Sequence, residues 1–253
     1  MATIITLLTD FGTRDSYVAE LKAVLASQAH PALLIDITHE IPPGDIASAQ
    51  YILARVWQRF PRGTVHVVIV DPGVGTSRRA LAAESGGQFF VAPDNGLLSA
   101  LPPDTRFVEL PIPPGVSPTF HARDVFAPAA AQLANGTALP HLGHAIKDPV
   151  RLERPQARAE GSAIIGQVVY IDRFGTLVTN IPGAGLDGGA RVAVDGREVG
   201  PVHRTFGDVG QGEVVALIGS GGTLEVAVRD GSAAATLGVK PGTEVRARVT
   251  RPA

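Results

Sequence analysis

Along the first half of the chain, short apolar runs alternate with stretches whose apolar residues recur every three or four positions. Ile4-Ile5-Thr6-Leu7-Leu8 is a β-branched apolar run and reads as a buried strand. From Asp15 the period changes, and Val18, Leu21, Val24 and Leu25 fall on one helical stripe. Leu33 to Ile37 reads as strand again. Asp45 then stands in an N-cap position ahead of Ile46, Ala49, Ile52, Leu53, Val56, Trp57 and Phe60, spaced by threes and fours. Val65 to Val70 is a third buried strand. Strand, helix, strand, helix, strand predicts parallel βαβ units with right-handed crossovers. Gln88 to Val91 and Arg106 to Leu110 add strands, and the alanine-rich stretch Arg123 to Leu133 adds a helix.

The pattern then changes. Residues 135–160 carry Gly, Pro and mixed charge with little periodicity, as a domain boundary would. Beyond it lie short β-type runs: Ile164 to Ile171, Leu177 to Ile181, Arg191 to Val194, Val214 to Ile218, Leu224 to Val228 and Glu244 to Val249. Turns such as Asp187-Gly188-Gly189 and Asp195-Gly196 separate them. The expected architecture is an α/β domain with a mainly parallel sheet over residues 1–150. A smaller all-β domain, barrel-like or sandwich-like, follows over 161–253.

Composition narrows the function classes. Of 253 residues, 45% are hydrophobic and 18% charged, and the formal net charge is −2. No electrostatic footprint for nucleic acid or an anionic membrane surface is present. The absence of cysteine excludes a disulfide scaffold, a thiolate metal site and a thiol nucleophile. Met1 to Leu8 lacks a basic leader and cleavage pattern, and no apolar run approaches the roughly 20 residues of a membrane span, so a cytoplasmic location is expected.

In open α/β sheets ligands bind beyond the carboxyl ends of the strands. The first strand runs into Thr9-Asp10-Phe11-Gly12 and the third into Asp71-Pro72-Gly73-Val74-Gly75-Thr76-Ser77-Arg78-Arg79, so two parallel strands bring an aspartate to one rim. Each aspartate could equally cap its own turn. The glycine loop has neither the Gly-Lys-Ser/Thr end of a phosphate loop nor the dinucleotide fingerprint. It does return two arginines to the rim, one a candidate anion-holding guanidinium and the other an ordinary surface residue. Among seven histidines, His30 ends a helix, His66 lies within a strand, and His141 and His144 have ligand-like spacing without a third partner. His121, in a polar cluster before a helix start, is the best placed for acid–base work.

Taken together and in order, Leu8-Thr9-Asp10-Phe11-Gly12, Asp36-Ile37-Thr38-His39, the Asp71 to Arg79 loop, Ala92-Pro93-Asp94-Asn95-Gly96 and Phe120-His121-Ala122-Arg123-Asp124 resemble the S-adenosyl-L-methionine hydroxide adenosyltransferases, relatives of fluorinase and chlorinase. The likeness continues through Tyr170 to Gly175, Thr179 to Ile181, and Ser220 to Ala227. It implies an α/β domain followed by a β-barrel-like domain, and a homotrimer with each site between subunits. The implied activity is hydrolysis of S-adenosyl-L-methionine to adenosine and L-methionine, with the molecule as substrate and with no cofactor or metal. The family's Asp-Arg-His triad falls on Asp71, Arg78 and His121. Halogenating relatives carry Tyr where Asp71 stands and Thr where Val74 stands, which places the chain in the hydrolytic branch.

The same resemblance assigns Asp10 to the ribose hydroxyls, and Asp172 and Phe174 to the methionine and adenine. Ser220, Glu225 and Val228 lie in the segment that completes the pocket. Thr176 stands at a binding position where the family usually has Asn, Gly219 likewise replaces Asn, and Ala122 replaces Gly. Three other readings compete: a non-catalytic binder of S-adenosyl-L-methionine or adenosine, a halogenase, and a metal-dependent hydrolase built on Asp10, Asp94 and His121.

Overall fold

A computed structural model describes residues 3–29, 31–186 and 189–248. His30, the Asp187-Gly188 part of one expected turn, and Val249 at the end of the last expected strand lie outside the described residues. The chain divides into two compact units, Met1–Glu153 and Arg154–Ala253.

The first unit runs β1 (Thr3–Thr9), α1 (Tyr17–Gln28), β2 (Ala32–Thr38), α2 (Ile46–Val56), β3 (Val65–Ile69), β4 (Ala80–Ser85), β5 (Gln88–Pro93), β6 (Arg106–Leu110), α3 (Ala127–Ala134) and β7 (His144–Ile146). Its sheet has the order β2-β1-β3-β5-β4-β6-β7. The first four of these strands are parallel, and β4, β6 and β7 extend them in antiparallel fashion. The periodic stripes behave as their spacing requires. Leu21 and Leu25 of α1 join α3 in one core, while Ala49 and Leu53 of α2 join Trp57 in the core on the other face. Asp45 caps α2 through a 3.0 Å bond from the Ser48 N–H.

Several features depart from the expected pattern, two of them in the longer elements of the first unit. Strand β4 was not expected, because Ala80-Leu-Ala-Ala-Glu-Ser85 lacks β-branched residues; it forms because both its edges are paired, to β5 and β6. The helix expected from Arg123 opens instead as a π-helical turn over Ala122–Phe126, and regular α-helix begins at Ala127.

The second unit contains β8 (Arg158–Glu160), β9 (Ala163–Ile171), β10 (Leu177–Pro182), β11 (Arg191–Val194), β12 (Arg197–His203), β13 (Val214–Ile218), β14 (Thr223–Val228), α4 (Ala233–Leu237) and β15 (Glu244–Arg248). The order β10-β14-β13-β12-β11-β15-β9 is closed by a β9–β10 pairing, so these strands form a barrel and not a sandwich, with β8 alongside β9. Closure removes unpaired strand edges. Val168, Leu177, Val192, Leu224, Val226 and Val245 fill its interior. Among the described residues no helix is long and apolar enough to cross a membrane.

Candidate active site

Strand β1 leads by α1 to β2 on one side, and the chain later returns as β3 on the other. The order therefore reverses at β1, and the crevice beyond β1 and β3 is the expected ligand position. Register makes that crevice a shared rim, because Thr9 pairs with Ile69 and both strands end level. Asp10 and Asp71 follow within two residues of these ends. A cavity of about 390 Å³ opens there, lined by Asp10, Phe11, Gly44, Asp71, Val74 and His121 among others.

Asp71 is held as one half of a buried ion pair. Arg78 Nε donates to Asp71 Oδ1 at 3.0 Å, Nη2 donates to Oδ2, and the two side chains are only 9% and 7% exposed. The fork geometry matches guanidinium to carboxylate. The same Nη2 donates to His121 Nδ1 at 3.1 Å, and the Phe126 ring lies 5.4 Å from the guanidinium carbon. The π-helical turn sets the positions of His121 and Phe126 at its two ends, a use to which such wide turns are often put.

These contacts fix the tautomer of His121. A guanidinium has no acceptor, so Nδ1 must accept, and the proton of the neutral ring sits on Nε2. Burial and the Arg78 charge lower the imidazole's pKa, against the opposing pull of Asp71 and Asp124, so the neutral form dominates near neutrality. Nε2–H has no protein partner among the described residues. The cluster thus presents a donor at the cavity wall.

The loop that returns Arg78 is shaped by its own small residues. Thr76 Oγ1 donates to the Gly73 carbonyl at 2.7 Å and accepts the Arg78 N–H at 3.3 Å. Gly75 has φ +77°, and a Cβ there would stand 2.5 Å from the Pro118 carbonyl oxygen. That close approach seats the loop against the segment leading to His121, so glycine is required. Arg79 has a different use. It pairs with Asp94 at 2.7 Å and Asp148 at 3.0 Å, and Asp94 also accepts the Val150 N–H at 2.8 Å. Asp94 is therefore engaged away from Asp10 and His121.

Asp10 Oδ2 accepts the Gly44 N–H at 2.8 Å, which leaves Oδ1 without a protein partner among the described residues. Two contributors were not singled out from the sequence. Gly44 had a signal, the Pro42-Pro43-Gly44-Asp45 turn before an N-cap. Asn95, inside a quoted motif, donates to the Val70 carbonyl at 2.8 Å and so steadies the residue before Asp71. Three other histidines lie elsewhere. His66 is buried in β3 between Thr6 and Gln88, His141 lies in a 3-10 turn and His144 opens β7. Among the described residues no group of three or more His, Asp or Glu side chains is placed to hold a metal.

In the second unit, Asp172, Phe174 and Thr176 form one turn after β9. Asp172 Oδ1 accepts the N–H groups of Phe174 at 2.9 Å and Thr176 at 2.8 Å. Phe174 is 77% exposed, while Thr176 is buried. Glu225 stands on β14 opposite Val178 and Leu217, and its carboxylate lies over Gly219, where a Cβ would meet Oε1 at 1.9 Å. Ser220 lies in the turn between β13 and β14. Val228 belongs to the barrel core. Asp10, Asp71, Arg78 and His121 are thus brought together in the first unit. Asp172, Phe174 and Thr176 share a turn of the second, which also carries Ser220, Glu225 and Val228.

Known proteins resemble the chain over nearly its whole length. Residues 5–143 match the family described as SAM hydroxide adenosyltransferase N-terminal domain, and residues 166–246 match the corresponding C-terminal domain. An (R)-S-adenosyl-L-methionine hydrolase of Thermus thermophilus is 46% identical, covering 94% of this chain and 97% of that protein. One of the same name from Salinispora tropica is 40% identical, covering 96% of both. A fluorinase of an Actinoplanes species is 30% identical over 88% of this chain and 90% of its own length. The crystal structure of an uncharacterized conserved protein from Thermotoga maritima superposes with a TM-score of 0.88 at 37% identity, covering 96% of this chain and 99% of that one.

Proposed function

Because the chain belongs to the SAM hydroxide adenosyltransferase family, we propose that Asp71, Arg78 and His121 position the oxygen nucleophile of an S-adenosyl-L-methionine hydrolase. The reaction converts S-adenosyl-L-methionine and water to adenosine, L-methionine and a proton. Oxygen attacks ribose C5′ as the C5′–S bond breaks, and the bonding pair stays on sulfur, so methionine leaves as a neutral thioether. Leaving-group charge needs no protein help. The barrier lies in the nucleophile, since water is weak and hydroxide scarce at neutral pH.

The observation that carries this reading is the Arg78 Nη2 to His121 Nδ1 bond. It makes the free ring nitrogen a donor, suited to holding hydroxide and unable to take a proton from water unless the bond to Arg78 is given up. Arg78 supplies the positive charge, and Asp71 orients it and offsets it in a buried site. Hydroxide held at C5′ on the line opposite sulfur gains the proximity advantage. Asp10 grips the ribose hydroxyls, and its negative charge suits a sulfonium substrate.

In the homotrimer, the residues assigned to the methionine and adenine come from the second unit of the neighbouring subunit. Asp172 and Phe174 face the methionine and adenine, Thr176 stands at a binding position beside them, and Ser220, Glu225 and Val228 lie in the segment that completes the pocket. The solvent-facing Phe174 ring is suited to stacking on a purine. The working form is a homotrimer with sites between subunits, acting in the cytoplasm and without a metal or cofactor. Incubating the purified, chelator-treated protein with S-adenosyl-L-methionine should release adenosine and methionine in equal amounts. Bound but intact substrate would overturn hydrolysis in favour of a binding role, and a 5′-halogenated nucleoside in chloride or fluoride would assign the chain to the halogenases. Sedimentation should give three times the chain mass, and full activity in a monomer would refute the shared site.

A further inference from the structure

The Asp36-Ile37-Thr38-His39 motif has no place in the chemistry above, yet its histidine is almost wholly buried, at 4% exposure, behind the Asp10 turn. His39 Nδ1 lies 2.8 Å from Thr9 Oγ1. Nε2 faces Asp36 Oδ1 at 3.2 Å, close enough for attraction though not aligned as a hydrogen bond. A carboxylate oxygen can only accept, so the proton of the ring sits on Nε2, and Nδ1 accepts the proton of Thr9, whose oxygen accepts the Phe11 N–H at 3.2 Å. Asp36 is tied in turn to Lys22 at 2.6 Å. The main chain of the same histidine accepts the Gly12 N–H at 2.7 Å.

His39 thus grips the turn twice, by its side chain at Thr9 and by its carbonyl at Gly12. Asp10 lies between those points together with Phe11, and its carboxylate is steered further by the Gly44 N–H. We propose that His39 is a positioning residue, which holds the Thr9–Gly12 turn so that the Asp10 carboxylate meets the ribose hydroxyls. This rests on the reading of Asp10 as the ribose ligand. Without the imidazole, the buried Thr9 hydroxyl loses its acceptor and the turn is held at Gly12 alone.

The test uses binding of adenosine and of 2′,3′-dideoxyadenosine, measured by competition with S-adenosyl-L-methionine turnover. His39→Phe and Thr9→Val should each weaken adenosine about 10-fold and leave the dideoxynucleoside unchanged. The double variant should be no weaker than either single one. His39→Asn, whose amide oxygen can accept from Thr9, should recover most of the adenosine affinity. Wild-type adenosine affinity in both single variants, or equal losses for the two nucleosides, overturns the proposal. Asp10→Ala separates the two ways of failing. If it discriminates the nucleosides and His39→Phe does not, the His39 assignment alone is wrong. If Asp10→Ala does not discriminate either, the ribose reading fails and takes the His39 assignment with it.

Discussion

Arg78 and Arg79 are neighbours in one loop, and each is paired with carboxylate, yet they serve different regions of the first unit. Arg78 is buried, bidentate to Asp71 and bonded to a histidine at a cavity wall. Arg79 lies at the surface, where it joins Asp94 to Asp148, a residue whose side chain is 80% exposed. Ion pairing is common to both and discriminates nothing. What differs is burial, and the donor that remains unspent once the internal bonds are made. Around Arg78 the His121 Nε2–H is left without a protein partner among the described residues. Around Arg79 the carboxylates and donors satisfy one another and stitch residues 148–150 to the sheet.

The sharpest way to break this contrast is kinetic. Arg78→Ala should lower kcat on the order of 100- to 1,000-fold, the usual loss when a charge-stabilising donor is removed. Arg79→Ala should stay within a few-fold, and equal losses in steady-state assays would erase the distinction. Stability should follow the same division. Asp71→Ala leaves the Arg78 charge buried without its partner and should cost about 3–5 kcal/mol in denaturant unfolding. Asp148→Ala should leave the unfolding midpoint unmoved.

A second pair, His66 and His121, gives smaller effects. Both are neutral rings with the proton on Nε2, but both nitrogens of His66 are satisfied, Nδ1 by Thr6 and Nε2 by Gln88 Oε1. Burial pushes its pKa down to about 4, partly opposed by Gln88. The unfolded chain then binds more protons than the folded one between pH 6.5 and about 4. Stability should fall as pH drops through that window, by about 3 kcal/mol in total. His66→Gln should flatten this stretch of the stability–pH curve. For His121, nuclear magnetic resonance titration should give a midpoint below 6.5 in the wild type, and a higher one in Arg78→Gln, where the opposing charge is gone. The acid limb of kcat/KM should correspondingly lie below the ordinary histidine range. An unchanged His121 midpoint in Arg78→Gln would show that the two groups do not interact as described.

The parts of the fold that hydrophobic period alone specifies were legible in the sequence. Leu21 and Leu25 share a stripe, Ile4 to Leu8 is apolar but for Thr6, and Asp45 carries its cap in plain view. Strand β4 was hidden because alanine has little β preference, and its pairing to neighbours on both edges decides its conformation. Strand β12 was missed for another reason: Gly200, at φ +125°, and Pro201 interrupt the alternation that marks a strand. At the site, the level ends of β1 and β3 made Asp10 and Asp71 readable. The choice between Arg78 and Arg79 came only from the family resemblance, since in the residues themselves it depends on which side chain turns inward after Gly75. The role of His39 was equally hidden, because its partner Thr9 is 30 positions away in the chain.

The central claim is that water, held beside Arg78 and His121, becomes the 5′-oxygen of adenosine. Turnover of S-adenosyl-L-methionine in oxygen-18 water, followed by mass spectrometry, tests it directly. Adenosine bearing the heavy oxygen at its 5′ position, with an equal amount of unlabelled methionine, is the predicted result. Adenosine without the label at that position would contradict attack by water at C5′.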